Sequence, residues 1–271
     1  MGAPMARHLA TARNDVHAYN RSPERARPLR DDGIEIHDDP AAAAAGRDVV
    51  MTMLSDADAV LEVAAAAGLG AGQVWWQAST IGLDATERCA QLAADAGATF
   101  VDAPVLGTRQ PAEDGKLVVL ASGPDDALDT LAPLFSAVGP KVVRVGPAGA
   151  GQRLKLAANA WVLAVTQATA ETVALTQALG LDLDLFTEAV DGGPLDLPYF
   201  RAKSKLMLDG EFPPSFALTL AAKDARLVGE AAAAHDVDLP LARAIAERFA
   251  EADAAGHGEE DMAAVYRLSA G

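Results

Sequence analysis

Cysteine is nearly missing from this chain. Cys89 stands alone among 271 residues, which excludes an internal disulfide and any cysteine-built metal centre. Positive charge is also scarce: 22 lysines and arginines face 38 acids, a formal net charge of −16. A nucleic-acid partner needs a basic face, so this balance argues against one. An anionic ligand must then be held by local arginines and helix N-termini, against the field of the whole chain. The five histidines, His8, His17, His37, His235 and His257, include no H-x-x-x-H pair, so they read as mostly surface residues and no metal site is expected. There is no run of eighteen apolar residues and no apolar leader near Met1. Neither a membrane helix nor a secretory signal is predicted, and a soluble, cytoplasmic protein is the default expectation. Apolar residues still make up 51%, enough for two domains sharing a large core.

Residues 15–145 alternate short β-rich runs with alanine-rich helical ones. Strands are predicted at Val16–Tyr19, Ile34–Ile36, Asp48–Met53, Val74–Gln77, Thr99–Asp102, Leu117–Ala121 and Val142–Val145. Helical stretches lie at 23–31, 39–45, 56–66, 83–96 and 124–136, several opened by Ser22-Pro23, Asp39-Pro40 or Ser55-Asp56. Such alternation predicts an α/β, doubly wound parallel sheet. After Gly149 the strand signal stops, and helices are predicted at 149–178, 182–190, 197–208, 219–235, 239–256 and 259–268. The expected division is a dinucleotide-binding domain at 1–148 and an all-α domain at 149–271, carried on a long interdomain helix.

That helix, GAGQRLKLAANAWVLAVTQATAETVALTQA, has Leu154, Leu156, Trp161, Val162, Leu163 and Val165 on more than one side. An all-round apolar helix is expected to be buried. Lys155 and Asn159, four residues apart, share one of its faces. The chain has six lysines against sixteen arginines, so a lysine here is not casual surface filling. A buried lysine shifts its pKa readily, as catalytic lysines do; a snorkelling lysine near a helix start is the equally weighted alternative.

Three strand ends carry further candidates. Asn20-Arg21-Ser22 offers no acid for the ribose hydroxyls of NAD, whereas an arginine and a hydroxyl suit a 2′-phosphate, so NADP is the expected cofactor over NAD. The same residues also make an ordinary helix start, with Ser22 as N-cap and Pro23 at N1. Met53-Leu54 lies where half of a dinucleotide would rest, although core packing explains the neighbouring Met51 and Val50 equally well. Ser79-Thr80 is either a helix cap or a contact to substrate and carboxamide. A twelve-residue loop, Val105–Lys116, dense in Gly, Pro, Thr and acids, is expected to be functional.

Together these motifs resemble the β-hydroxyacid dehydrogenase family (3-hydroxyisobutyrate dehydrogenase-like). The pattern is D-A-P-V-x-G at 102–107, Gln110-Pro111-Ala112-Glu113-Asp114-Gly115, then G-x-G-x-x-x-K-x-x-x-N from Gly149 to Asn159. Met1-Gly2-Ala3-Pro4-Met5-Ala6 is similar to the tail of the family's phosphate-loop fingerprint, and Lys223-Asp224 and Gly256–Asp261 to its later elements. The block at 110–115 looks most like the glyoxylate/succinic semialdehyde reductase branch. The chain departs in three ways. The first strand and two leading glycines of the fingerprint are missing, Leu106 replaces a frequent serine, and Gln77 stands where an acid is common.

The resemblance implies a Rossmann-type fold and hydride transfer between NADP(H) and a small carboxylate substrate, an aldehyde acid and its hydroxy acid. Lys155 is implied as general acid/base. Thr80, Gly107, Thr108, Asn159, Phe216 and Asp224 are implied on the substrate side. Gly2, Asn20, Arg21, Ser22, Met53, Leu54, Thr80 and Lys223 are implied on the cofactor side, with no metal. A homodimer through the helical domain is expected. An imine reductase on the same fold is a rival, which Lys155 opposes, and so is a catalytically impaired dimerisation module. Residues 2–13 read as a helix without the strand and Gly-rich turn that should precede it. We therefore expect the frame to extend upstream of Met1, and the chain as given to bind NADPH poorly.

Overall fold

The computed structural model describes residues 1–270, and the chain divides into two compact units, Met1–Lys155 and a second starting at Leu156. The first unit runs α1 (Gly2–Thr11), β1 (His17–Tyr19), α2 (Pro23–Ala26), a 3-10 turn (Arg27–Asp32), β2 (Glu35–His37), α3 (Pro40–Ala44), β3 (Val49–Thr52), α4 (Ala57–Ala67) and β4 (Val74–Gln77). It continues with α5 (Leu83–Ala96), β5 (Thr99–Asp102), β6 (Val105–Leu106), α6 (Arg109–Glu113), β7 (Val118–Ser122), α7 (Asp125–Val138) and β8 (Lys141–Gly146). Asp39 and Asp56 cap α3 and α4 by accepting from Ala42 N–H and Ala59 N–H. Ser22 occupies the N-cap of α2 and Pro23 its first turn, as the helix-start reading has it, although the Ser22 side chain makes no cap hydrogen bond.

Strands β3, β4 and β5 pair in parallel. β7 runs antiparallel to β5 and to β6, and parallel to β8. Adjacent tryptophans show that both faces of this sheet are covered, because successive strand residues point to opposite sides. Trp76 packs with Phe135, Met5 and Leu9 in one core, and Trp75 with Phe100, Val60 and Cys89 in the other. Both indoles are fully buried, and truncating either to alanine would cost on the order of 3–5 kcal/mol. β1 and β2 stand apart as a two-stranded parallel sheet. The strand that a doubly wound sheet sets between β1 and β3 is not among the described residues, and the sheet is correspondingly in two parts.

The stretch 105–116 is not a loop throughout. Val105–Leu106 pairs with Val119 and Val118, and Arg109–Glu113 forms α6. Gly107 makes the turn between them at φ 127°, where an added Cβ would lie 2.7 Å from Leu117 Cδ2, so only glycine fits.

Helix α8 (Ala150–Ala178) leads out of the first unit. The second unit adds α9 (Leu183–Val190), α10 (Pro198–Asp209), α11 (Leu218–Ala234), α12 (Pro240–Ala252), a π-turn (Asp253–His257) and a 3-10 turn (Met262–Leu268). Its core gathers Leu163 and Val173 of α8 with Phe200, Met207, Leu218, Phe249 and Met262. The expected all-round burial of α8 is not observed: Trp161 is 67% and Leu175 61% exposed, while Thr166, Gln167 and Thr169 are buried. The two threonines satisfy their hydroxyls by donating to Val162 O and Val165 O one turn back. Lys155 is half-buried rather than enclosed. Among the described residues no helix is long and apolar enough to cross a membrane.

Candidate active site

The start of α8 is fastened to the first unit's sheet by buried polar groups. Gly151 comes so close to the strands that a Cβ on it would lie 2.4 Å from Leu120 O and 2.8 Å from Asp102 O. That approach explains the second glycine of G-x-G in steric terms. At this contact the Gln152 N–H donates to Asp102 Oδ2 (2.7 Å) and the Gly151 N–H to Ser122 Oγ (2.9 Å), while that hydroxyl donates to Asp102 O (2.8 Å). A carboxylate facing the first turn of a helix also gains from the helix dipole. Burial pushes the Asp102 carboxyl up to about 6, against the hydrogen bonds from Gln152 and Ser122.

The Gln152 side chain carries this lock to the loop after β4. Its Nε2 donates to Ser79 O (3.1 Å), and its Oε1 accepts from Ile81 N–H (3.1 Å). Gln77 grips the same loop, accepting from Ser79 N–H (2.5 Å) and donating to Ser79 O (3.0 Å). A carboxylate at position 77 could not make the second bond, so the amide is used at both ends. Ser79 Oγ accepts in turn from Leu54 N–H at 2.8 Å. Thr80 therefore sits between two residues pinned through Gln152, and Lys155 stands three residues beyond Gln152 on α8.

Of the residues expected on the cofactor side, Asn20, Arg21 and Ser22 follow β1 and Met53 and Leu54 follow β3, whereas Gly2 opens α1, Thr80 follows β4 and Lys223 lies on α11. Arg21 is exposed, and Asn20 Oδ1 orders its loop by accepting from Ser22 N–H (2.9 Å). No side chain caps the first amides of α1, which leaves them suited to an anion. A Cβ on Gly2 would lie 3.6 Å from Met53 O. An exposed guanidinium, uncapped amides and a bare glycine beside Met53 are groups that suit the phosphates of a dinucleotide. Thr108 is the N-cap of α6, without a side-chain cap bond.

In the second unit, Asn159 is 2% exposed, and its Nδ2 donates to Asp224 Oδ2 at 2.7 Å. Lys223 Nζ lies 2.9 Å from the other oxygen, Asp224 Oδ1. Asp224 thus holds the asparagine, with Lys223 balancing its charge. Phe216 lies against the second unit's core, its N–H donating to Asp261 Oδ2 at 3.3 Å. Asp261 also meets Lys203 Nζ (2.6 Å) and Ser215 Oγ (2.6 Å). Burial alone would raise the Asp261 carboxyl, but the Lys203 ammonium and these donors outweigh it and hold it below the ordinary range.

The residues that sequence reasoning missed are Asp102, Ser122 and Gln152. Asp102 and Gln152 lie inside the motifs already read, but their job, fixing the start of α8, shows only when β5, β7 and α8 come together.

Residues 1–146 match the family model described as the NAD binding domain of 6-phosphogluconate dehydrogenase, and residues 149–269 the one described as NAD-binding of NADP-dependent 3-hydroxyisobutyrate dehydrogenase. The chain is 31% identical over 270 residues to the chloroplastic glyoxylate/succinic semialdehyde reductase 2 of Arabidopsis thaliana, covering 98% of this chain and 75% of that protein. It is 30% identical to the 3-sulfolactaldehyde reductase of Escherichia coli, covering 100% and 94%. Among solved structures, the 3-hydroxyisobutyrate dehydrogenase of Mycobacterium tuberculosis superimposes with a TM-score of 0.89 at 27% identity, covering 99% and 95%.

The raised Asp102 carboxyl has a stability signature. Its folded value of about 6 lies above the ordinary carboxyl value of 3.8. Its stabilising contribution is therefore complete below about pH 4 and is lost as pH rises through about 6. In urea denaturation across this range, the stability of the wild type relative to Asp102→Asn should grow as pH falls, by up to ~3 kcal/mol. A flat or reversed difference would show that Asp102 carries no such burial cost.

Proposed function

Because the chain belongs to the β-hydroxyacid dehydrogenase family, whose members are NAD(P)-dependent dehydrogenases and reductases, we propose that it reduces a small aldehyde acid of semialdehyde or glyoxylate type to the hydroxy acid with NADPH. The observation that carries this reading is the lock on α8. Asp102 and Gln152 fix the helix one turn before Lys155, and Asp224 fixes Asn159 one turn after it. Two polar side chains four residues apart on a helix share a face, so a lysine and an oriented amide are presented together.

When bound, the nicotinamide supplies the hydride. As charge grows on the carbonyl oxygen, the Lys155 ammonium stabilises it and then donates a proton to that atom. In the oxidative direction the same amine, neutral, takes the proton back. Asn159 keeps its amide turned by Asp224 and orients the substrate or the lysine. Thr80, Gly107 and Thr108 are assigned to the substrate carboxylate; Leu106, in place of a hydroxyl, narrows the polar contacts available there. Asn20, Arg21 and Ser22 are assigned to the 2′-phosphate, Gly2 to the pyrophosphate, and Met53 and Leu54 to the ring systems. Phe216 and Lys223 are assigned to the substrate and cofactor sides on the family's pattern alone.

A homodimer through the helical unit is part of this reading. Exposed Trp161, Leu175, Leu179, Leu185 and Leu195 (56% or more each) are more apolar surface than a free helical face carries. Trp161 also edges an apolar groove with Val165, Leu197 and Tyr199. A second copy of the same surface can cover it.

Lys155→Ala should lower NADPH turnover on succinic semialdehyde and glyoxylate by roughly 10²–10⁴-fold, with little change in NADPH affinity, and a cyclic imine should be a poor substrate. Near-normal turnover in that variant, or faster turnover of the imine, would overturn the assignment. In the same assay Arg21→Asp should weaken NADPH far more than NADH; equal effects would remove Arg21 from the phosphate. Light scattering at micromolar concentration should give twice the chain mass, and Trp161→Glu should shift it to one; a monomeric wild type contradicts the dimer.

A further inference from the structure

The histidines expected at the surface include two that are packed on each other. The side chains of His17 on β1 and His37 on β2 are only 13% and 18% exposed. Their rings stack with centroids 5.0 Å apart and planes at 11°. The parallel register sets His17 beside Glu35 and Tyr19 beside His37. Because side chains alternate along a strand, His17, Glu35 and His37 share one face. No spacing within one segment announces this trio, since its members lie on two strands up to twenty residues apart.

The ligand atoms are close. His17 Nδ1 lies 2.8 Å from His37 Nε2, and His37 Nε2 lies 3.5 Å from Glu35 Oε1. One donor atom from each of the three residues falls within 4.8 Å of the others. A tetrahedral ion with bonds of about 2.0–2.1 Å has ligand–ligand edges of roughly 3.3–3.5 Å, so small side-chain shifts suffice. The far nitrogen of His17, Nε2, is 3.4 Å from Asp15 Oδ1. A carboxylate on the outer nitrogen fixes the tautomer of a metal-binding histidine and leaves the inner lone pair for the ion. Arg47 in turn donates to Asp15.

A neutral N–H···N bond between the histidines accounts for their contact. It does not account for the Glu35 carboxylate approaching one of those nitrogens, His37 Nε2, while a second carboxylate, Asp15, faces the outer nitrogen of His17. We propose that His17, His37 and Glu35 bind a divalent transition-metal ion of zinc type, with Asp15 orienting His17 and water completing the coordination. The charged groups around the ion are then Asp15, Glu35 and Arg47. The ion clips β1 to β2. These strands have three residues each and rest on a small cluster of Ala6, Leu29 and Ile34; a two-stranded sheet of that size is marginal unaided. This site does not depend on the dehydrogenase reading.

The full chain, stripped with chelator, is titrated with zinc sulfate at pH 7.5 by calorimetry. One ion per chain is expected at micromolar Kd or tighter, with a melting temperature raised by several degrees at a hundred-fold excess over Kd. Glu35→Gln, at a side chain 65% exposed and so harmless to folding, should weaken binding at least ten-fold, and His17→Ala and His37→Ala should abolish it. Asp15→Asn should weaken it ten- to a hundred-fold, and His257→Ala, at a histidine of the second unit, should leave it unchanged. Cobalt should give a visible tetrahedral absorption that Glu35→Gln diminishes. No binding below about 0.1 mM, or a site that survives both Glu35→Gln and His17→Ala, overturns the proposal.

Discussion

The first unit depends on one buried carboxylate. Asp102 ends β5, accepts the Gln152 N–H at 2.7 Å and shares Ser122 with Gly151. It joins the end of an interior strand to the first turn of α8. A buried carboxylate is costly unless hydrogen-bonded, and burial pushes this one up to about 6 against the donors that hold it. Gln152 is held to the sheet and to the loop after β4, and Lys155 follows it by three residues on the same helix. Gly151 is required by the same constraint, since any side chain would collide with Leu120 O.

The helical unit answers with its own buried acids. Asp224 holds Asn159 with Lys223 beside it, and Asp261 gathers Lys203, Ser215 and the Phe216 N–H. In a chain of net charge −16 these acids are each matched to a lysine, two of only six. Removing either lysine alone would leave a charge stranded, which costs more than the pair contributes. The acids that set the global charge lie mostly at the surface, where they exert little structural force.

Much of this was legible in the sequence because it is local. Periodicity and capping found α5 at 83–96, α8 to within one residue of its start, and strands such as Val74–Gln77 and Thr99–Asp102. What was not legible depends on strands meeting. His17 and His37 become neighbours only through the parallel register of β1 and β2. The Val105–Lys116 stretch hides β6 and α6 because its turn residues mask two short elements. Trp161 reads as core by composition but stands exposed, since the threonines of α8 face inward and satisfy themselves on the helix backbone. The motif residues of the candidate site were visible one by one, whereas the lock that aims Lys155 was not.

The central claim is that Gln152 and Asp102 act through Lys155. A double-mutant cycle on turnover tests it, using Gln152→Ala, Lys155→Ala and the double variant. The account predicts that Gln152→Ala lowers kcat in the wild-type background while NADPH affinity holds, and that it removes nothing further once Lys155 is alanine. Equal fold-losses in both backgrounds would show that Gln152 acts independently of the lysine, and would contradict the account.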